Sequence, residues 1–179
     1  RIANNYNNGD YSDLWVNLQG PLKPVLEESF PEIERVSRVV LWKWANTGEN
    51  HIRTPHTRNN IYEEGFFYAD PEILEILEVS MVYGSQQDAL TAPNSIVLSK
   101  SKADKYFPNQ NPIGKQLILN DKIEDTYTIG GVMEDFPVNS HLQGDFILTL
   151  AERKTGPGTS GWCCTNYAFY LKLAHGSDK

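Results

Sequence analysis

The sequence predicts an α+β fold, and three observations predict it. Strand-like and helix-like segments are intermixed along the chain. They lack the long strand–helix–strand rhythm of a parallel-sheet enzyme. At 179 residues the chain is also long enough to bury about 70% of the surface its unfolded form exposes, so no disulfide or metal is needed for folding. Hydrophobic residues at 40% and aromatics at 11% match a globular composition rather than a disordered one.

The elements follow in order. Gly20-Pro21 opens a helical pattern in which Leu22, Val25, Leu26 and Phe30 share one face. Pro21 and Pro24 suit only a first turn, and Pro31 ends the pattern. Residues 34–46, ERVSRVVLWKWAN, are β-branched and aromatic with apolar residues on both faces, which predicts a central strand covered on each side. Strands are expected over 49–54 and 60–69, joined by the polar HTRNN loop, and a short helix runs from Asp70-Pro71 to about Leu77. NSIVLS is a further strand, after which Ser99 caps a helix carrying Ala103, Tyr106 and Phe107 on one face. Strands 115–120 and 125–134 are joined through Asn120-Asp121. The second alternates, with Tyr127, Ile129, Gly131 and Met133 on one face. Strand 145–151 follows, then a Gly-rich surface loop over 153–161. A last strand, 166–173, directs Tyr167, Phe169, Leu171 and Leu173 inward.

The net charge of −7 is scattered, which argues against a nucleic-acid partner, since phosphates demand a basic face. No run of about 18 apolar residues is present to span a membrane. The chain shows no signal peptide and begins with Arg1, so it is expected to be a piece of a longer protein.

Chemistry-bearing patterns are sparse. Gly114-Lys115 invites comparison with a phosphate-cradling loop, but Asn109 stands where the first Gly belongs and Gln116 follows the Lys. The pair also leads into a strand instead of a helix, so it reads as a turn. His51 and His56 are awkwardly spaced for one metal. His141 and His175 have no Cys or His at ligand spacing, so solvated or locally bonded histidines are expected. Cys163 and Cys164 are adjacent, a spacing that suits neither a disulfide nor a redox motif; buried strand cysteines are the expectation. The GTSG sequence at 158–161 fails the nucleophile-elbow spacing. Glu63-Glu64 and Glu134-Asp135 are adjacent carboxylates pointing to opposite faces, which reads as a solvated edge and not a glycosidase pair. No catalytic, cofactor-binding or metal-ligating set emerges.

An ordered series of segments carries more information. NSIVLSKSKADKYFPNQNPIGKQLIL and YTIGGVMEDFPVNSHLQGDFIL supply a strand ending in Ser99, a helix closing on Tyr106-Phe107 and a turn Asn111, Pro112, Ile113, Gly114, Lys115. A strand through Gly131-Val132 follows, then Asp135, Pro137, Asn139, Ser140 and His141. Together these resemble the extracytoplasmic (periplasmic) core domain of MacB-like and FtsX-like ABC transporter permeases. PLKPVLEESFPEIERVSRV looks like the family's first helix and second strand, and FFYADPEILEIL like its Tyr-Ala-Asp turn. The similarity runs from about Gly20 to Leu173; Pro108 stands where the family usually has Gly.

The resemblance implies a two-lobed α+β domain. A porter-like βαβ lobe would be built from 1–69 and 143–179, incomplete at its C-terminal end, with a smaller mixed lobe, 70–142, inserted. It implies a non-enzymatic, periplasm-facing domain of an inner-membrane protein, with no cofactor. The partners implied are a cytoplasmic ABC ATPase, a second permease copy, and an adaptor, outer-membrane duct or exported cargo. ATP-driven movement of the membrane helices would reach the outer domain as a mechanical stroke. The motif residues Asn111, Pro112, Gly114, Lys115, Asp135, Pro137, Asn139, Ser140 and His141 read as structural. Two other readings stand beside it. One is a surface module binding sugar or peptide through Trp42, Trp44 or Trp162. The other is a secreted hydrolase using Glu or His.

Overall fold

The computed structural model describes residues 4–7, 12–15, 17–40, 47–152, 162 and 165–176. Among them are twelve strands and three α-helices, mixed along the chain as an α+β fold requires. Two short strands, β1 (Asn4–Asn7) and β2 (Ser12–Trp15), pair with each other, and the rest form one large sheet.

Six strands of that sheet close on themselves. β5 (Gly48–Arg53) and β6 (Ile61–Ala69) form an antiparallel hairpin across the exposed 54–60 loop. β5 pairs with β9 (Gln116–Leu119), and β9 with β10 (Thr126–Met133), both antiparallel. β10 then runs parallel to β8 (Ser95–Ser99), and β8 antiparallel to β11 (Phe146–Thr149). β11 returns to β6 in parallel, Phe146 opposite Phe66. Closure removes the unpaired edges that an open sheet would present. Buried residues from all six strands meet in one cluster that includes Ile52, Phe66, Ile96, Leu117, Ile129 and Leu148. Within it the Phe66 and Phe146 rings stack at 4.1 Å, and the Tyr68 and Tyr127 hydroxyls share a 2.8 Å hydrogen bond, which removes the cost of burying two phenols.

The alternate residues Phe67, Val97, Met133 and Ile147 enter a second cluster. It is completed by Ile73 and Leu74 of α2 (Ile73–Ile76), by Val79, Ala89 and Leu90, and by Leu142. β7 (Met81–Tyr83) adds to the outer edge of β10.

The far end of β6 leads into a flank. There β4 (Ile33–Val40) pairs with Tyr68 and Ala69, β12 (Thr165–Leu173) pairs with β4, and β3 (Asn17–Gln19) with β12. α1 (Leu22–Ser29) packs on β4. As expected of a central strand, β4 buries Val36, Ser37, Val39 and Val40; its anticipated continuation over 41–46, with Trp42 and Trp44, lies outside the described residues. So do Cys163-Cys164 and the loop 153–161.

Several expectations need correction. On α1 only Leu22 and Leu26 are half-buried against the core, whereas Val25 and Phe30 stay 40% and 43% exposed, so the apolar face is wider than what covers it. Leu173 is 45% exposed because it lies at the outer end of β12, and Ala168 and Tyr170 are buried on the face opposite Tyr167 and Phe169. The alternation of β10 breaks at a bulge between Ile129 and Gly131. Beyond it Val132 joins the cluster of Tyr127 and Ile129, and Met133 turns to the other cluster. The bulge lies where Gly130 meets the 85–92 segment, since a Cβ there would sit 2.0 Å from the Ala89 carbonyl oxygen. Ser99 occupies the N-cap of α3 (Lys100–Tyr106) without capping it; its hydroxyl donates to Asp145 Oδ1 at 2.8 Å. Glu63 is buried instead of lying on a solvated edge.

The Asn120-Asp121 link is a tight turn with φ of 53° and 58°, closed by a 3.0 Å bond from Lys122 N–H to Leu119 O. Asn and Asp tolerate this left-handed geometry better than most side chains. Asp121 accepts from Arg53 Nε at 2.6 Å and from Asn60, tying the turn to the ends of β5 and β6.

Candidate functional site

The motif residues gather in two places. The first is the turn before β9. Asn111 Oδ1 accepts the Ile113 N–H at 3.0 Å, and the Lys115 N–H reaches Pro112 O at 3.0 Å. Gly114 adopts φ +79°, the left-handed region that a side chain resists. Its N–H is spent on Ile129 O at 2.8 Å, and Ile129 N–H bonds Lys115 O at 2.8 Å, so the turn extends the β9–β10 ladder. A phosphate cradle needs its N–H groups free, and this one is used. The Lys115 ammonium donates to Gln110 Oε1 and lies 4.8 Å from the Phe107 ring centroid.

The second place is the segment after β10. Asp135 Oδ1 accepts the Ser101 N–H at 3.0 Å, taking the capping role that Ser99 leaves vacant on α3. The Pro137 carbonyl accepts from Ser140 N–H, at 2.8 Å. Gln143 Nε2 donates to Pro137 O and Ser140 O, each at 2.8 Å, so Gln143 organises a loop whose tip, Val138 and Asn139, is exposed. His141 Nε2 lies 3.1 Å from the Tyr170 hydroxyl, with the two rings stacked, which ties this loop to β12.

Two buried carboxylates lie near these segments. Glu63, on β6, accepts from Lys102 Nζ at 2.5 Å, from Lys105 and from the Tyr106 hydroxyl at 2.7 Å. Burial pushes the Glu63 carboxyl up, but these three bonds outweigh it and hold the group below the usual carboxylate range. Burial and the Glu63 bond raise the Tyr106 hydroxyl, which remains a donor at neutral pH. Asp70, at the end of β6, accepts from Arg38 through Nε and Nη2, both at 2.8 Å, and through its backbone N–H at 2.9 Å. Lys23 Nζ stands 3.4 Å away. Burial again raises the carboxyl and the Arg38 bonds more than reverse it, so Asp70 also stays ionised well below its ordinary value. Both carboxylates therefore stay ionised at neutral pH. They fix the position of α3 and of the β4–β6 junction.

Sequence reasoning missed the Glu63 cluster. Lys102, Lys105 and Tyr106 stand at i, i+3 and i+4, one face of α3, and that spacing was the available signal. His51 and His56 lie in β5 and its following loop. Among the described residues no three His, Cys, Asp or Glu side chains gather to hold a metal. Trp162 is 59% exposed. No helix among the described residues is long and apolar enough to cross a membrane.

A family model described as MacB-like periplasmic core domain matches residues 5–178. Solved structures share the fold. A domain of a permease protein from Porphyromonas gingivalis superposes with TM-score 0.74 at 24% identity, over 91% of this chain and 71% of that one. The periplasmic region of MacB from Actinobacillus actinomycetemcomitans gives 0.64 at 14%, over 98% and 74%. The extracellular domain of the ABC-type transporter YknZ from Gram-positive bacteria gives 0.56 at 14%, over 88% and 74%. No curated protein sequence matches.

Proposed function

The chain belongs to the MacB-like periplasmic core domain family, and from that premise we propose that it is a non-enzymatic relay of an ABC transporter permease. It receives ATP-driven motion of the membrane helices and passes it to an export partner or cargo, a peptide, lipoprotein or toxin. The observation that carries this reading is the family match over nearly the whole chain, from 5 to 178. The closed ring and its two dry clusters support it, because a closed, close-packed body transmits displacement without absorbing it.

In this reading the porter-like lobe comprises 1–69 and 143–179, and 70–142 is the inserted lobe. The two share the ring, with β5, β6 and β11 from the first and β8, β9 and β10 from the second, so they move as a unit. The partners are a cytoplasmic ATPase reached through membrane helices, a second permease copy, and a periplasmic adaptor or duct. The motif residues 111–115 and 135–141 then serve as braces: the first holds β9 to β10, and the second holds α3 and β12.

The test begins with the native gene. Runs of about 20 apolar residues before Arg1 and after Lys179 are expected. A cleavable signal and a stop codon would overturn the transporter reading. With the full-length complex in proteoliposomes, a cysteine cross-link bridging two copies of this domain should stop export while ATP hydrolysis continues. Unchanged export would remove the relay. Exposure of Trp162 favours a second reading, a surface module for sugar or peptide, which requires ligand-dependent change in Trp162 quenching.

A further inference from the structure

A groove runs along one end of the ring, between the 54–60 loop, the C-terminal end of α3 and the turn before β9. It consists of two adjoining cavities of about 470 and 580 Å³, with Thr54 and Tyr106 lining both. Arg58 and Lys105 line the first and Lys115 the second, with His56 beside it. No carboxylate lines either cavity, although the chain as a whole carries a net charge of −7.

The cations differ in how their charge is answered. Lys105 is engaged by Glu63, and Arg53, which also lines the first cavity, by Asp121. Lys115 meets only a neutral amide, Gln110, and the face of Phe107. Among the described residues Arg58 has no acidic partner. The groove therefore holds two cations without an ion-pair partner, one in each cavity, and Tyr106 lines both. Pro55 and Phe107 in one cavity and Ile61 in the other supply apolar wall.

We propose that this groove binds an extended acidic peptide segment, whose carboxylates meet Arg58 and Lys115 and whose apolar side chains lie against Tyr106 and Phe107. A compact phosphate would need converging donors, and the nearest turn N–H groups are already bonded within the fold: Gly114 to Ile129 O and Lys115 to Pro112 O. Cations spaced along a groove with aromatic walls suit a chain of alternating carboxylates and apolar groups instead. The inference rests on the groove alone and does not depend on the transport reading.

The experiment uses the 179-residue chain and a short fluorescein-labelled peptide of alternating Glu and Leu, followed by fluorescence anisotropy. The Glu peptide should bind at least about tenfold more tightly than its Gln counterpart, as expected when charge-assisted bonds are lost. Binding should weaken with added salt. Arg58→Gln and Lys115→Gln should each cost about tenfold, while circular dichroism and thermal midpoint stay unchanged. Equal affinity for the Glu and Gln peptides, no binding at low salt, or variants that bind as well as the parent would each overturn the proposal. Anionic phosphatidylglycerol vesicles form the control arm. Vesicle binding lost in both variants, with no peptide binding, would reassign the groove to lipid headgroups and overturn the peptide proposal.

Discussion

The ring and the flank share one strand, β6, but are covered very differently. In the ring both faces of β8 and β11 are buried, with Ile96 and Leu148 in one cluster and Val97 and Ile147 in the other, while β5 and the start of β6 expose His51 and Tyr62 on their outer face. In the flank β4 and β12 are well buried, but α1 above them contributes no buried residue. The charges follow the same divide. On the ring, Glu63 is gripped by two flexible lysines and a tyrosine from a single helix face. At the junction, Asp70 is held by the planar fork and backbone N–H of Arg38. Closing a sheet on itself covers its inner face, whereas the outer face of the ring and the open flank both depend on the segments that lie over them.

Four measurements would break or sharpen this contrast. The largest effect should come from acid, which removes both carboxylates. Each has a folded-state pKa below its ordinary value, 3.8 for Asp70 and 4.5 for Glu63. Their contribution is therefore complete above those values and disappears as the pH falls through the folded ones. Urea midpoints should drop below about pH 5, and the Asp70→Asn, Glu63→Gln double variant should show a shallower fall; an identical slope would mean other groups govern acid unfolding.

Next, Asp70→Ala at neutral pH should cost about 3–5 kcal/mol by urea unfolding, because it strands a largely buried guanidinium at the ring–flank junction. A loss under about 1 kcal/mol would show that Arg38 finds water instead. Third, Ile129→Ala in the ring should cost about 3 kcal/mol and Leu26→Ala in the flank about 1 kcal/mol. Equal losses would erase the comparison. Smallest, Gly114→Ala should cost about 1 kcal/mol. Space is open around its position, so the only penalty is the strained φ.

Locally encoded features were legible in the sequence. Alternation placed β10 and β12, β-branched and aromatic composition placed β4, and apolar residues on one face placed α1 and α3, because such features depend only on neighbouring residues. The Asn120-Asp121 and Gly114 turns were readable for the same reason, as each side chain suits its own backbone angle. The polar strands β1, β2 and the three-residue β3 and β7 carried too little pattern to be seen.

Tertiary structure decided what depends on segments far apart. Ring closure rests on Phe66 meeting Phe146, and no local pattern encodes that pairing. The bulge in β10 rests on Ala89 pressing against Gly130. Glu63 looks like any exposed acid until α3 lays two lysines over it, and Asp135 looks like a loop acid until Ser101 needs a cap. Sequence fixes what a residue offers its neighbours. Whether a charge is buried, and which partner answers it, follows from the chain's return to the same place in space.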